Sequence, residues 1–403
     1  MERGAFPSPD RSIPCTASGS NAGPLRVLHV INSLGLGGTE RGVLKVMEGL
    51  DPRLFDQKIC AIRGIDRQLV ASPPLHGRVF QAGQENSGFQ FLLFRLAQVF
   101  RTYKPHIVHS RNWGAIEATA AGWLTRVPVI IHSEHGYELD MLSGLPFRRR
   151  LLRRTFYSFC DTVFAVSREL QDYHRKQGWF PAERIQVIPN GVDTRVFAPS
   201  LKTRQRARDR FNFPAESIVL GTVGRMVRIK DQRTLLHAAE QLVQCNLNIR
   251  VLLVGGGSEL EQLRSYVRAS PFLERRVTFV EPSLHVSDIF QAMDIFILPS
   301  ISEGMSNTLL EAMSSGLACL ATAVGGNPEI IEEGRSGFLF APANVTKLSE
   351  LLKMLIRQSD LRKQLATAAR DRAVACFSLD RMMQDYTKLY SELAARHGLL
   401  PRS

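Results

Sequence analysis

The stretch SIVLGTVGRMVRIKD, residues 217–231, begins with a short apolar run and ends in a loop rich in arginine and lysine. The same alternation of an apolar run and a helical stretch continues through IRVLLVGGG (249–257), RVTFVE (276–281), DIFILPS (294–300) and LACLATAVGG (317–326). Short buried strands that alternate with helices are typical of a parallel sheet covered on both faces. The second half of the chain is therefore predicted to be a doubly wound α/β domain.

The first half of the chain has the same rhythm. Its strand candidates are LRVLHVI (25–31), FDQKICAI (55–62), HIVHS (106–110), VPVIIHSEH (127–135) and DTVFAVS (161–167). Between the halves, QVIPNGVDTRVFAPS (186–200) is rich in turn formers, and the charged KTRQRARDRF after it is interpreted as a linker. We therefore predict two doubly wound Rossmann-like domains that face each other across a ligand-binding cleft. Their predicted bounds are 24–197 and 198–375, and a helical segment at 376–403 is expected to pack back across the hinge.

Length and composition limit the class of protein. The chain has 403 residues, of which 44% are hydrophobic, enough for a core in two or three domains. No apolar run reaches the roughly 18 residues of a membrane span. Residues 1–23 lack the apolar core of a signal peptide and are predicted to be a flexible polar leader, so we expect a cytoplasmic protein. The six cysteines are scattered without a CxxC pair, which argues against a zinc site or a disulfide framework.

The net charge of +13 favours acidic partners, which could be phosphorylated ligands, anionic lipid or nucleic acid. The aromatic residues do not interleave with the basic ones in a nucleic-acid-binding motif. Phosphorylated ligands and lipid are therefore the preferred partners, and no nucleic-acid partner is expected.

Two glutamates with seven residues between them lie in SEGMSNTLLEAMSSG, residues 302–316. A helix is expected to begin near Ser306 or Asn307, because both residues are good N-caps. Glu303 then lies in the loop after a strand, and Glu311 lies a little over one turn into the helix. Backbone N–H groups at such a helix start bind phosphate, and carboxylates accept hydrogen bonds from sugar hydroxyls. The two glutamates are therefore predicted to contact different parts of one elongated ligand.

A basic loop follows the first strand of the second half. Its side chains Arg225, Arg228 and Lys230 suit a diphosphate, since arginine binds it as a fork and lysine as a point charge. The following helix is expected to start near Asp231. A solvated basic loop is the commoner alternative, although this position faces the cleft.

Two loops of the first half carry further candidates. SLGLGGTER (33–41) follows the first strand, and its glycines allow the backbone to approach a ligand closely, with Thr39 as a possible helix cap. A glycine-rich turn without a ligand is an equally good interpretation. His135 in SEHGYE ends a strand and should point into the cleft, although a structural histidine is the commoner case.

In this order the motifs resemble family 4 of the retaining glycosyltransferases, enzymes with the two-domain GT-B fold. The resemblance covers nearly the whole chain from about Leu25, and the ordered set is far more specific than any one motif. The matching motifs are GGTE (37–40), SEHG (133–136), IPNGVD (188–193), GRMVRIKD (224–231), VGGG (254–257), EGMSNTLLE (303–311) and VGGNPEII (324–331). Relatives often have an acidic residue beside the VGGG turn, where this chain has Gly256 and Gly257.

The resemblance implies a role for each matched residue. Arg225 and Lys230 would bind the donor diphosphate, Glu311 the ribose, and Glu303 and His135 the donor sugar. The remaining donor site would be formed by Gly37, Gly38, Gly304, Met305, Ser306, Asn307, Thr308 and Leu309. Fixed cations can stabilise the leaving diphosphate, so no metal and no cofactor are expected. Glu303 could be taken for the nucleophile of a double displacement, as in retaining glycosidases. The family resemblance instead implies that Glu303 positions the sugar and that the attack comes from the same face of the sugar as the leaving phosphate.

The segment LPFRRRLLRRTFYSFC (145–160) places Phe147, Leu151, Phe156 and Phe159 at roughly helical spacing, with five arginines between them. Such a helix could lie on an anionic membrane, or it could bury its apolar stripe in the core with the arginines in water. Membrane contact is compatible with a glycan or lipid-linked acceptor at the inner face of the cytoplasmic membrane, as in the surface polysaccharide enzymes that the chain resembles. Two alternatives stay open: a nucleotide-sugar epimerase of the same fold and a basic nucleic-acid-binding protein.

Overall fold

The computed structural model describes residues 23–35, 37–66, 75–84, 86–137, 144–178, 185–281 and 286–400. The predicted leader, apart from Gly23, lies outside the described residues. Leu36 of the glycine loop and Glu138 after the histidine motif also lie outside them.

In the described part of the first half, the strands form one seven-stranded parallel sheet in the order β3-β2-β1-β4-β5-β6-β7. The strands β4, β5 and β6 are buried at every residue, as expected where helices cover both faces. The strands are β1 (Leu25–Leu34), β2 (Phe55–Ile65), β3 (Val79–Gln81), β4 (Ile107–Arg111), β5 (Val129–Glu134), β6 (Thr162–Ala165) and β7 (Ile185–Val187).

The second half forms a six-stranded parallel sheet over its described residues, in the order β10-β9-β8-β11-β12-β13. Its strands are β8 (Ile218–Val223), β9 (Ile249–Val254), β10 (Val277–Val280), β11 (Ile295–Leu298), β12 (Ala318–Thr322) and β13 (Phe338–Phe340). In both sheets the strand order reverses beside the first strand, which is where ligands of doubly wound sheets bind. The predicted pair of Rossmann-like domains is confirmed.

Fourteen α-helices connect and cover the strands within the described ranges. They are α1 (Gly38–Gly49), α2 (Phe89–Tyr103), α3 (Glu117–Leu124), α4 (Phe147–Ser158), α5 (Arg168–Gly178), α6 (Leu201–Arg210), α7 (Gln232–Gln244), α8 (Leu260–Ala269), α9 (Val286–Phe290), α10 (Asn307–Ser314), α11 (Asn327–Ile330), α12 (Val345–Arg357), α13 (Ser359–Phe377) and α14 (Leu379–Arg396). None of the helices in these ranges combines the length and the apolar character that a membrane span needs.

The charged segment predicted to be a linker is in fact helix α6. Ser200 caps this helix by accepting a hydrogen bond from the backbone N–H of Thr203. Arg204 and Arg208 then bind the Asp294 carboxylate at 2.7 and 3.1 Å. The linker prediction was wrong because a dense run of charges resembles a solvated segment until its acidic partner, distant in sequence, is known.

Helix α4 forms where the amphipathic segment predicts a helix, but its apolar residues do not make one stripe. Phe147 and Leu151 are 64% and 50% exposed, whereas Phe156 is buried. Arg153 is also buried and binds Glu134 of β5 at 3.3 Å. Both the apolar and the basic residues of this segment therefore divide between core and surface, so the helix contributes to the core and also keeps an exposed apolar and basic face.

The last helix, α14, packs against the sheet of the first half. Tyr386 and Tyr390 of this helix share one buried cluster with Val27, Phe55 and Phe164 from three strands of that sheet. The chain therefore returns to its N-terminal half after it has completed the second sheet.

Candidate active site

The stretch with the two glutamates folds as its residues predict. Helix α10 begins at Asn307, and the Ser306 hydroxyl caps it by accepting from the Leu309 N–H at 3.3 Å. Thr308 lies 3.2 Å from the same hydroxyl, oxygen to oxygen. Glu303 precedes the helix, in the loop that follows β11. The helix N-terminus therefore lies between the two glutamates along the chain.

Glu303 is a buried carboxylate with two close donors. Its Oε1 accepts from Lys230 Nζ at 2.5 Å and from Ser300 Oγ at 2.7 Å. The backbone N–H of Ile301 also donates to the carbonyl of Ile229 at 2.8 Å, which holds the two loops side by side. The basic loop and the first glutamate thus form one unit, as the donor-site prediction requires.

Glu311 is buried, and its charge is balanced from the other half of the molecule. Lys45 of helix α1 lies 3.7 Å from Glu311 Oε1 and donates to the Gly191 carbonyl at 3.2 Å. Burial raises the pKa of Glu311 above its ordinary value, and Lys45 and Arg41 oppose that rise. The two glutamates are therefore neutralised separately, one within its own domain and one across the cleft.

The VGGG turn explains the shape of the basic loop. Gly255 and Gly257 have φ of +142° and +150°, and a Cβ would lie 2.0 Å from the Gly224 carbonyl oxygen and 2.4 Å from that of Met226, respectively. Met226 N–H also donates to the Gly256 carbonyl at 2.8 Å. These glycines therefore let the turn support the basic loop directly.

Arg225 and Lys230 lie at the two ends of this loop. The Gln232 side chain donates to the Arg225 carbonyl at 2.9 Å, and Asp231 is the N-cap residue of α7, as predicted. Burial raises the pKa of Glu40 in the glycine loop, and the nearby Arg225 charge opposes that rise. The charge of Arg225 therefore acts on the glycine loop of the first domain.

Glycines mark where the two halves come closest. A Cβ on Gly304 would lie 2.2 Å from the carbonyl oxygen of His135, and one on Gly38 would lie 3.8 Å from Asn307 Nδ2. At Gly37 a Cβ would lie 2.1 Å from the Glu40 carboxylate. Gly304 and Gly38 thus lie at the interface between the domains, where a side chain at Gly304 would push the halves apart, whereas Gly37 contacts Glu40 of its own domain.

Thr39 is not the cap of the first helix. Helix α1 begins at Gly38, its N-cap residue is Gly37, and no side chain caps it. The Thr39 hydroxyl instead accepts from Asn112 Nδ2 at 3.2 Å. The prediction was wrong because a capping threonine is recognised by position alone, and the helix starts two residues earlier than a cap at Thr39 requires.

His135 follows β5 and is partly buried. Its backbone N–H donates to Asn112 Oδ1 at 2.7 Å, and its Nε2 lies 2.9 Å from Ser133 Oγ. Burial, helped by the Arg111 charge, lowers the pKa of His135 to about 3. The imidazole is therefore neutral near pH 7 and can act as a neutral hydrogen-bonding group but not as a cation.

Three residues that join the domains were not assigned a role from the sequence: Lys45, Asn190 and Glu329. Asn190 donates to the Met305 carbonyl at 3.0 Å. Glu329 accepts from the backbone N–H groups of Arg168 and Glu169 at 3.0 and 3.1 Å, at the start of α5. Asn190 and Glu329 lie inside matched motifs, but their partners are in the other domain and cannot be found by spacing.

The site thus combines a cationic loop, a helix N-terminus and two separated carboxylates. Cations and a helix N-terminus stabilise phosphate, while carboxylates accept from hydroxyls. Within the described ranges, no group of three or more His, Cys, Asp or Glu side chains is arranged to hold a metal ion.

Comparison with protein families identifies this arrangement. The model described as "Glycosyltransferase Family 4" matches residues 36–196, and "Glycosyl transferases group 1" matches residues 203–372. Together they cover every strand of the two sheets except β1, and all the site residues named above.

The chain belongs to the family 4 glycosyltransferases.

Relatives and solved structures agree with this assignment. The glycosyltransferase is 25% identical to the Escherichia coli UDP-Gal:alpha-D-GlcNAc-diphosphoundecaprenol alpha-1,3-galactosyltransferase, over 75% of this chain and 79% of that protein. It is 24% identical to the Staphylococcus aureus capsular polysaccharide biosynthesis glycosyltransferase CapM, over 74% and 80% of the two chains. The crystal structure of Anabaena Alr3699/HepE in complex with UDP has a TM-score of 0.80 at 20% identity, covering 91% of this chain and all of that one. The GT-B fold is confirmed, and nothing here supports the epimerase alternative.

Proposed function

We propose that this glycosyltransferase moves a sugar from a nucleotide-sugar to a glycan or lipid-linked acceptor in bacterial surface polysaccharide synthesis. We further propose that it retains the anomeric configuration and needs no metal ion. The observation that carries the proposal is the Lys230–Glu303 contact beside the N-terminus of α10, with Glu311 one helical turn farther on. The relatives named above act on a diphosphoundecaprenol-linked sugar and in capsule synthesis, which supports the acceptor class.

The nucleotide-sugar donor would bind along the row formed by Lys230, the N-terminus of α10 and Glu311. Arg225, Lys230 and the N-terminus of α10 would hold the diphosphate, while Glu311 would accept from the ribose hydroxyls. Cleavage of the sugar–phosphate bond places negative charge on the leaving diphosphate. Preorganised cations and N–H groups stabilise that charge more strongly in the transition state than in the donor.

Glu303 would orient the donor sugar and leave nucleophilic attack to the acceptor. Its Oε1 is held by both Lys230 and Ser300, and Glu303 lies beside the predicted phosphate site. When donor phosphate takes up the Lys230 charge, the freed carboxylate can accept from sugar hydroxyls. The acceptor hydroxyl would then attack from the face that the diphosphate leaves, which retains the configuration.

The surface around α4 supports peripheral contact with an anionic membrane. Its exposed apolar residues Phe147, Leu151 and Leu152 alternate with arginines, and the helix contains no acidic residue. Phe89 of the adjoining α2 packs on Phe156 with ring centroids 6.2 Å apart, which extends the apolar surface. Apolar side chains among arginines suit the headgroup region of an anionic leaflet, here the inner face of the cytoplasmic membrane.

A panel of UDP-, GDP- and ADP-sugars, scored by the rise in melting temperature, tests the donor class. A ligand at about 100 times its Kd stabilises the folded state by roughly 2.7 kcal/mol. We expect one nucleotide to stabilise the protein, and addition of a lipid-linked acceptor to that donor to release nucleoside diphosphate. Donor turnover that needs no acceptor and yields an isomerised sugar would contradict the proposal.

A further inference from the structure

A chain of buried hydrogen bonds connects His135 to the C-terminal helix. His135 Nε2 lies 2.9 Å from Ser133 Oγ, and Ser133 Oγ lies 2.8 Å from His109 Nε2. His109 Nδ1 lies 2.7 Å from the hydroxyl of Tyr390 on α14. His109, Ser133 and Tyr390 are all fully buried, so water does not compete for these contacts.

The Tyr390 hydroxyl stands at the far end of this chain, and its one hydrogen bond within the described residues is to His109 Nδ1. A buried hydroxyl proton that finds no acceptor costs free energy. The Tyr390 O–H therefore donates to His109 Nδ1.

Each donor in the chain then fixes which atom of the next group carries a proton. A neutral His109 that accepts at Nδ1 carries its proton on Nε2, which donates to Ser133 Oγ. The Ser133 hydroxyl then donates to His135 Nε2, since its other acceptor, the Ser110 carbonyl, is farther away at 3.5 Å. His135 must then carry its proton on Nδ1. The described residues make no other hydrogen bond to that nitrogen.

We propose that Tyr390, His109 and Ser133 form an oriented relay that holds His135 in the Nδ1–H tautomer. These three are positioning residues, and they present His135 as a neutral donor toward the cleft. This last step rests on the proposed contact between His135 and the donor sugar. The relay also couples α14 to the site.

A second buried chain can be oriented by the same reasoning. Arg111 Nη1 donates to His29 Nδ1 at 3.1 Å, and His29 Nε2 lies 2.9 Å from Gln57 Oε1. The amide nitrogen of Gln57 donates to the Met47 carbonyl at 3.2 Å, so its oxygen is free to accept. His29 is thus held as the Nε2–H tautomer.

Long-range ¹H–¹⁵N NMR of the histidine rings tests the relay directly, because it separates protonated from unprotonated ring nitrogens. The His135 signals are assigned by their loss in His135→Gln. We expect wild-type His135 to carry its proton on Nδ1, and Tyr390→Phe to convert it to a mixture or to the Nε2–H form. Tyr386→Phe is the matched control, since Tyr386 is also a buried tyrosine of α14 whose ring packs against His109, but its hydroxyl does not hydrogen-bond that histidine. An Nε2–H form in the wild type, or an unchanged spectrum in Tyr390→Phe, would overturn the relay.

Kinetics separate the relay from the proposed function. If both hold, Tyr390→Phe lowers kcat/KM for the donor roughly five- to tenfold, the worth of one neutral hydrogen bond, and Tyr386→Phe does not. If the tautomer shifts and donor kinetics do not, the relay stands and the contact of His135 with the sugar is wrong. A folded Tyr390→Phe protein is expected, because only the hydroxyl is removed.

Discussion

At the residue scale, the two carboxylates of the site differ in which cation balances their negative charge. Glu303 is neutralised by Lys230 from a neighbouring loop, and Glu311 by Lys45 from the other domain. The position of both glutamates relative to α10 could be predicted, because caps and helix starts are local properties. Lys45 could not be predicted, since no local pattern pairs a residue of the first helix with one of the tenth.

Glu311 should make the stability of the protein depend on pH. Burial raises its pKa above the ordinary value of 4.5, so the folded state holds this proton at a pH where the unfolded state has lost it. The wild type therefore loses stability from this group as the pH rises above about 4.5 toward the folded pKa. Glu311→Gln has no carboxyl group to ionise and avoids that loss. The free energy of unfolding of this variant, minus that of the wild type, should therefore be larger at pH 7 than at pH 4. Urea unfolding at the two pH values measures the difference, and an equal difference at both would contradict the raised pKa.

At the scale of elements, the long buried strands and amphipathic helices could be predicted, while short and charged elements could not. The strands β3, β7 and β13 have three residues each and lack a repeating pattern that could identify them. Helix α6 was interpreted as a linker because its arginines depend on Asp294, which lies far along the chain. Such elements are specified by contacts with distant residues.

Asp294 should therefore be a stability residue outside the site. Its carboxylate accepts from Arg204, Arg208 and the backbone N–H of Val219, and its side chain is 12% exposed. Asp294→Asn leaves the buried Arg208 without a counter-charge and should cost about 2–4 kcal/mol. Denaturant unfolding measures this loss. Asp209→Asn, on the exposed side of α6, is the control and should change stability by less than about 0.5 kcal/mol.

Helix α4 should bind anionic vesicles through its exposed residues. Replacing Phe147 and Leu151 together with serine removes apolar area and leaves every arginine in place, so we expect weaker sedimentation with phosphatidylglycerol vesicles. Leu201→Ser, at an 87% exposed position on α6, is the control and should have no effect. Equal binding to phosphatidylcholine and phosphatidylglycerol vesicles, or no loss in the double variant, would rule out this surface.

At the scale of the whole molecule, the two domains meet through a few specific contacts. Glu329 binds the N-terminus of α5, Asn190 binds the Met305 carbonyl, and Gly304 lies against the His135 carbonyl. The two domains could be predicted from repeated strand patterns. Their mutual approach could not, because each contact joins motifs that the sequence shows only separately.

Removing the Glu329 contact should shift the molecule toward an open cleft. A carboxylate at a helix N-terminus contributes about 1 kcal/mol, so Glu329→Ala should raise the open-to-closed ratio roughly fivefold. Small-angle scattering of the ligand-free protein should then report a larger radius of gyration, and the donor KM should rise. Glu350→Ala changes an exposed glutamate of α12 and should leave both values as in the wild type. An unchanged radius in Glu329→Ala would show that this contact does not control closure.

The release of nucleoside diphosphate, with donor and lipid-linked acceptor both present, tests the central claim most directly. Lys230→Ala and Glu303→Ala should each lower the rate by at least about 100-fold, the usual loss when one group that stabilises the transition state is removed. Lys347→Ala changes an exposed lysine and should keep the wild-type rate. The circular dichroism spectra of all three variants should match that of the wild type. Wild-type rates in both site variants would contradict the assignment of this cleft as the site of glycosyl transfer.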